Sequence, residues 1–270
     1  MGIENRPSEE RREVQPRTLV TILSQNLWYR AKADEVRNYL KYIHAHLQPD
    51  VVFFTELTTD SPYNPNTNIP GMVKEEFGVD DNREIYVEDR AFRPIFHPLS
   101  RHHEGVGTYS LHYPIATASE ITLSYGGRAP FQGKNSKRVA VETTIALPHG
   151  KTLTVLGVHG SYATPFNKEI IYREDLRLRE LVQGRENLVL VGDLNAPPES
   201  DRVQGLNMVM NADFDDWSRS TFGRKHSGKA NRFHPRVDYA FVANGVAVDS
   251  FRLIPPGPSN HAGLLLTVVV

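Results

Sequence analysis

The chain has 270 residues, 39% hydrophobic and 23% charged, which is enough apolar material for a buried core and excludes a disordered polymer. Lys and Arg number 31 against 32 Asp and Glu, a formal net charge of −1 at pH 7. That balance excludes a uniformly basic coat for nucleic acid and leaves room only for local patches. Cysteine is absent, so disulfides, thiolate metal sites and cysteine nucleophiles are excluded as well.

Residues 1–17 mix Glu and Arg without an apolar period and read as a flexible charged tail, with 18–270 as one domain. The start shows no apolar stretch of signal-peptide type. The apolar run 264–270 is far too short to cross a bilayer. The expectation is a soluble monomer whose compartment the sequence leaves open, with the cytoplasm favoured. Leu19–Leu23 is a β-branched run and a predicted strand. From Lys32 to Leu47, apolar residues at Val36, Tyr39, Leu40, Ile43 and Leu47 recur at three- and four-residue steps. This spacing predicts an amphipathic helix, stopped by Pro49. Val51–Phe54 follows as a buried strand, and Ser61–Pro70 consists almost entirely of turn formers, so it is expected as a long loop. Further strands are expected at 85–87, 107–111, 116–124, 139–147, 152–158, 188–191, 237–242 and 264–270, with a second helix at 167–182. Many strands with two or three helices imply a layered α+β or α/β domain.

Polar residues stand directly after several apolar strands: Asn26, Glu56, His159, and Asp193 with Asn195. Strand ends are rigid platforms, and the loops leaving them commonly carry chemistry. The sharpest segment is Val191-Gly192-Asp193-Leu194-Asn195-Ala196-Pro197. A strand ending in Gly-Asp-x-Asn puts a carboxylate and a carboxamide on the same side, two residues apart. The carboxylate can hold a hard cation or take a proton from water, and the carboxamide can donate to a phosphate oxygen. Each residue alone has a plainer reading. Gly, Asp, Asn and Pro form turns, Glu56 or Asp238 could be a solvated carboxylate, Asn26 a strand-end cap, and His159 a packed histidine. His44, His46, His97, His102, His103 and His112 show no ligand spacing and read as surface or packing residues.

Taken in order, Gln25-Asn26, Thr55-Glu56, Val158-His159, Gly192-Asp193-Leu194-Asn195, Arg236-Val237-Asp238-Tyr239 and Ser259-Asn260-His261 resemble the motifs of the endonuclease/exonuclease/phosphatase superfamily. Gly105–Ser110 followed by Tyr113-Pro114-Ile115 is similar to that family's inner strand and turn. The likeness runs from about Leu19 to Val270. It implies the pancreatic-DNase-like fold, an α+β four-layer α/β/β/α sandwich of two packed mixed β-sheets flanked by helices. It also implies metal-dependent hydrolysis of a phosphoester, with Mg²⁺ as cofactor and Mn²⁺ as a substitute. By the same resemblance, Glu56 is the principal metal ligand, Asn26 lies beside the metal and holds Asp193, and Asn260 belongs to the metal site. Asp193 activates the attacking water and Asn195 contacts the scissile phosphate. Asp238 orients His261 and favours its charged form, so that His261 and His159 donate to the phosphorane oxygens. Arg138 matches a family arginine that reaches phosphate. One position departs from the pattern: the family's last motif is Ser-Asp-His, and here Asn260 replaces the Asp, which keeps the shape but removes a negative charge.

The fold does not settle which phosphoester is cleaved. Between Trp217 and Val237 the chain carries Arg219, Arg224, Lys225, Lys229, Arg232 and Arg236 with no acid, interleaved with Phe222 and Phe233. Ser124 to Arg138 adds Arg128, Lys134, Lys137 and Arg138 beside Tyr125 and Phe131. Basic residues with interleaved aromatics suit a polyanion whose bases can stack, so a nucleic acid is the expected substrate, bound by Arg138, Arg224, Lys225, Arg232 and Phe222. Two solvated loops are the plainer reading of the same stretches. A phospholipid or inositol-phosphate phosphodiesterase is one alternative. A catalytically impaired nucleic-acid-binding module, marked by Asn260, is another.

Overall fold

In the computed structural model, residues 17–61, 64–92, 102–125, 137–165, 167–210, 221–222 and 236–270 are described. Strand β1 (Leu19–Asn26) leads through helix α1 (Ala33–Tyr42) into β2 (Val51–Ser61), which lies parallel to β1. The expected helix continues to Leu47, but its last turn, Ile43–Leu47, widens to π geometry and closes on left-handed Gln48. β3 (Asn64–Asn68) pairs back onto β2, and α2 (Ile69–Phe77) starts at once. The long loop expected over 61–70 is therefore largely wrong. Backbone pairing to β2 makes 64–68 a strand despite its turn-forming residues, since the ladder needs only main-chain groups. Asn68 then caps the helix by accepting from Gly71 N at 3.0 Å, with Pro70 in the first turn.

β4 (Glu84–Phe92) and β5 (His102–Ser110) complete one sheet, and β6 (Ile115–Tyr125), β7 (Lys137–Ala146) and β8 (Thr152–His159) open the other. Helix α3 (Lys168–Val182) links β8 to the parallel strand β9 (Leu188–Asp193). A short helix, α4 (Asp201–Asn207), capped by Ser200, precedes β10 (Asp238–Val242), β11 (Ala247–Ile254) and β12 (Gly263–Val269). Sequence periodicity did not anticipate α4, which is only seven residues long, or β11, where a bulge between Val248 and Ser250 interrupts the alternation. Among the described residues, one sheet runs β11-β12-β1-β2-β5-β4 with β3 attached to β2, and the other runs β10-β9-β8-β7-β6.

Both sheets are mixed, each with one parallel pair, and side-chain alternation divides the core into three layers. Val20, Ile22, Val51 and Phe53 meet Val141, Val155, Val189 and Val191 between the sheets. Leu23, Val52 and Phe54 face α1 and α2, while Leu156, Leu190 and Phe241 face α3 and α4. This is the expected α/β/β/α sandwich. The sheets approach closely at Gly157, where an added Cβ would stand 2.2 Å from the Phe53 ring. No described helix is long and apolar enough to cross a membrane.

Candidate active site

Parity along the strands carries the polar residues to one edge of the inter-sheet layer. Val155 and Gly157 face the opposite sheet, so His159, two residues on, faces the same way. The same alternation takes Val189 and Val191 to Asp193, Val20 and Ile22 to Asn26, and Ala240 and Val242 back to Asp238. Glu56 breaks the rule. A bulge between Phe54 and Leu57 leaves both of these on the helix-facing side, and Glu56 between them adopts φ 58°. A left-handed conformation at a non-glycine residue stores strain, and here it accompanies a carboxylate drawn in toward Asn26.

Asn26 ties the parallel strand pairs together. Its Nδ2 donates to Glu56 Oε1 at 3.1 Å and to Asp193 Oδ2 at 3.2 Å, while its Oδ1 accepts from Trp28 N at 2.8 Å. The expected holding of Asp193 is present. The same bonds turn nitrogen toward the carboxylates, so Asn26 acts toward Glu56 and Asp193 as a hydrogen-bond donor, and its Oδ1 holds Trp28 N. Tyr29 N fixes the second oxygen of Glu56 at 2.9 Å. Gln25 Nε2 donates to Asn26 O at 2.8 Å and His261 O at 2.9 Å, joining β1 to the segment before β12.

Asp193, His261 and Asp238 form a buried cluster whose ligand atoms lie within 4.8 Å of one another. His261 Nδ1 is 2.9 Å from Asp238 Oδ2 and 3.8 Å from Asp193 Oδ2. Burial opposes the imidazolium, but Asp238 and then Asp193 outweigh it and carry His261 up to about 10, so it is charged at neutral pH. Asp193 is pushed above its ordinary value by burial and by Asp238, against the pull of the two histidines and Asn195 N. Asn195 N donates to Asp193 Oδ1 at 2.8 Å, and its Nδ2 donates to Gly160 O at 3.0 Å. Thr221 Oγ1 accepts from Val237 N and Asp238 N, and Thr221 O accepts from Ala262 N, so one residue aligns both sides of the His261–Asp238 pair.

Arg138 is buried, not laid open to substrate. Its Nη1 donates to Asp89 Oδ2 at 2.9 Å and approaches His159 Nδ1 at 3.1 Å. A guanidinium can only donate, so Nδ1 is the acceptor in this contact; Asp89 Oδ2 lies 3.5 Å from the same nitrogen, and Nε2 is 4.0 Å from Asp193 Oδ2. Phe222 bridges to His261 and packs edge-on against its ring at 4.9 Å, which makes it a support for that imidazole. Arg236, counted in the basic stretch, is buried with its guanidinium over the Tyr239 and Phe251 rings. Arg224, Lys225 and Arg232 lie outside the described residues, as do Arg128, Phe131, Lys134, Arg219, Lys229, Phe233 and His97. His44, His103 and His112 make contacts away from the site, with Glu76 O, Glu88 and Asp50.

Two site residues escaped the sequence reading. Glu104 is fully buried and groups with Glu56 and His159, their ligand atoms within 4.8 Å; it immediately precedes the Gly105–Ser110 segment already singled out. Asp89, buried against Arg138, had no signal in its strand. A further buried network backs the site. Arg202 Nη1 donates to Leu194 O at 2.6 Å and Ser161 O at 3.3 Å, its Nε to Asp175 Oδ1 at 2.5 Å, and its Nη2 to Glu174 Oε2 at 2.9 Å. It thereby clamps the loops that follow His159 and Asp193.

Residues 22–261 match the Endonuclease/Exonuclease/phosphatase family. The fold is shared with solved structures of low identity. An endonuclease/exonuclease/phosphatase from Beutenbergia cavernae superposes with a TM-score of 0.71 at 16% identity, over 93% of this chain and 71% of that one. The human Nocturnin catalytic domain with bound sulfate gives 0.60 at 17%, over 93% and 97%. D. rerio TDP2 complexed with single strand DNA product gives 0.61 at 17%, over 93% and 99%. No curated protein matches the chain by sequence. The match spans nearly all of the strands whose ends converge on Asp193, and the chain belongs to the endonuclease/exonuclease/phosphatase family, hydrolases of phosphoester bonds.

Proposed function

We propose that the protein is a Mg²⁺-dependent phosphodiesterase that cleaves nucleic acid, with Mn²⁺ able to replace Mg²⁺. The observation that carries this reading is the junction of two clusters, Glu56–Glu104–His159 and Asp193–Asp238–His261, joined by the bifurcated donation of Asn26. The donor set fits a hard cation: two carboxylates lie together at Glu56 and Glu104, and Asn260 Oδ1 is buried without a hydrogen-bond partner. Glu56, Glu104 and Asn260 would hold the ion, which when bound supplies Lewis-acid stabilisation of phosphate charge. Neutral Asn260 gives that site one negative charge fewer than the family pattern.

The remaining roles belong to the chain itself. Asp193, held above its ordinary value by burial and Asp238, accepts the proton of the attacking water more readily than a free aspartate. The water oxygen bonds to phosphorus as the opposite phosphorus–oxygen bond breaks, and the leaving oxygen takes up a proton from solvent. Charged His261, fixed through Nδ1 by Asp238, directs Nε2–H at the developing charge, and His159 adds a second Nε2–H donor. Asn195 retains one amide hydrogen for a phosphate oxygen beyond its bond to Gly160 O.

Nucleic acid is favoured among phosphodiesters by the acid-free basic stretches around 124–138 and 217–237 and by the single-stranded DNA product bound in the TDP2 structure of the same fold. The test is a Mg²⁺ and Mn²⁺ titration of cleavage on labelled single- and double-stranded DNA and RNA, with EDTA and Glu56→Ala controls. Metal-dependent products that vanish in both controls are expected. Cleavage of sphingomyelin or inositol phosphates, with none of any nucleic acid, would replace the substrate. Nucleic-acid binding without cleavage at any metal concentration would favour the impaired module marked by Asn260.

A further inference from the structure

We propose that Tyr125 and Tyr162 form a base-stacking rim beside the catalytic centre, holding the nucleobases that flank the scissile phosphate. The proposal rests on the nucleic-acid reading above and names the subsite through which bases are held. Tyr125 is 76% exposed and Tyr162 69% exposed. Single exposed aromatics are ordinary; this pair is distinguished by how it is anchored. Each follows a serine, and both serines donate to the same oxygen of buried Glu174: Ser124 Oγ at 2.5 Å and Ser161 Oγ at 2.6 Å to Oε1. The other oxygen accepts from Ser161 N at 3.0 Å and Arg202 Nη2 at 2.9 Å. One buried carboxylate thus draws two segments of chain together and fixes the backbone from which both rings project.

The anchor lies against the chemistry. Ser124 pairs across the sheet with Arg138, whose guanidinium is 3.1 Å from His159 Nδ1. Tyr162 lies three residues past His159, so its Cα is within about 11 Å of the histidine's. The intervening Gly160 O accepts from Asn195 Nδ2, the same amide that faces the phosphate position. The loop carrying Tyr162 is further ordered by Asn167, whose Nδ2 donates to Tyr162 O at 2.9 Å and whose Oδ1 accepts from Thr164 N at 2.7 Å. Two exposed phenol rings on ordered backbone, close to the His159 donor, offer the flat apolar faces on which bases stack whatever their sequence. Among the described residues, the immediate surroundings include serine, threonine and a buried ion pair.

The rim is tested by fluorescence titration of a single-stranded oligonucleotide carrying 2-aminopurine, with EDTA present so that nothing is cleaved. An abasic strand of equal length is the comparison, since it keeps the phosphates and loses the bases. Wild-type protein is expected to bind the base-bearing strand on the order of tenfold more tightly, with quenched 2-aminopurine emission. Tyr125→Ala with Tyr162→Ala should abolish that preference, and the two Tyr→Phe changes should keep it; unchanged Tm values show that the fold is intact. Equal wild-type affinity for both strands overturns the rim while leaving a nuclease that reads the backbone, and so does a preference that survives the double alanine change. Failure of wild-type protein to bind or cleave any nucleic acid, with activity on a lipid or inositol phosphate, overturns the rim together with the nuclease reading.

Discussion

Replacing Arg202 by Met should both destabilise the protein and slow it. Arg202 and Glu174 are 2% and 0% exposed, and Asp175 is 6% exposed. The guanidinium satisfies two carboxylates and the carbonyls of Leu194 and Ser161. Methionine fills a similar volume but leaves the two buried carboxylates without that counter-charge, a change that costs about 3–5 kcal/mol. For a domain of this size that is a fall of roughly 6–20 °C in Tm. The loss should depend on pH. Burial already outweighs Arg202 and holds Asp175 above its ordinary value; without the cation it rises further. A carboxyl whose folded pKa exceeds its unfolded one binds extra protons when folded, so the variant should recover stability relative to wild type as pH falls from 8 to 5. Urea denaturation across that range measures both quantities, and turnover at saturating metal reports whether Leu194 O, placed between Asp193 and Asn195, needs its clamp. A stability change below about 0.5 kcal/mol that is flat with pH would refute the network as a buried, mutually dependent unit.

Other consequences are direct. Glu56→Ala should abolish metal-dependent turnover with the fold retained, read by activity alongside circular dichroism; retained turnover would remove Glu56 from the metal site. Asn260→Asp should lower the Mg²⁺ concentration needed for half-maximal cleavage, because it restores a negative charge to the site, and an unchanged metal requirement would show that position 260 does not contact the ion. Gly157→Ala should destabilise by about 1–3 kcal/mol, since its methyl would stand 2.2 Å from the Phe53 ring, measured by thermal unfolding. Replacing Arg224, Lys225 and Arg232 together should weaken nucleic-acid binding and flatten its salt dependence, because fewer counterions are released; an unchanged slope would make that stretch a solvated face.

Much of the site was legible because it extends regular strands. His159 and Asp193 each continue an apolar alternation by two residues and Asn26 by four, past Ser24, and a polar group at such a point is visible in sequence. Other features depend on geometry that alternation does not encode. Glu56 reaches the site through a bulge and a left-handed backbone, and periodicity would assign it to the helix-facing side. Arg138 was expected to reach phosphate; its pairing with Asp89, from another strand, is non-local and had no sequence signal. Phe222 sits against His261 for the same kind of reason. Helix α2 was hidden by composition, although Asn68 with Pro70 and Gly71 carries a start signal that outweighs the turn reading once β3 has formed. In edge strand β11, Val248, Phe251 and Leu253 pack against the inter-sheet core, but a bulge between Val248 and Ser250 breaks their two-residue period.

The same parity that builds the core also aims the chemistry. Val189, Val191 and Asp193 share one face of β9, as Gly157 and His159 share one face of β8 and Ala240 and Asp238 one face of β10. In each strand the residues deep between the sheets are apolar and the last, at the edge where the layer opens, is ionisable. A slip of one residue in any of them would send the ionisable group into the helix layer and a helix-facing residue into the site. Register is therefore fixed twice, by burial along the strand and by hydrogen bonds at its end, where Asn26 joins the two sheets through Glu56 and Asp193. The cost falls at the edge itself. Asp193 and Asp238 are held buried side by side with charged His261 between them, so the burial that first raises Asp193 above its ordinary value, and the repulsion from Asp238 that adds to it, are both produced by the packing that keeps it in place.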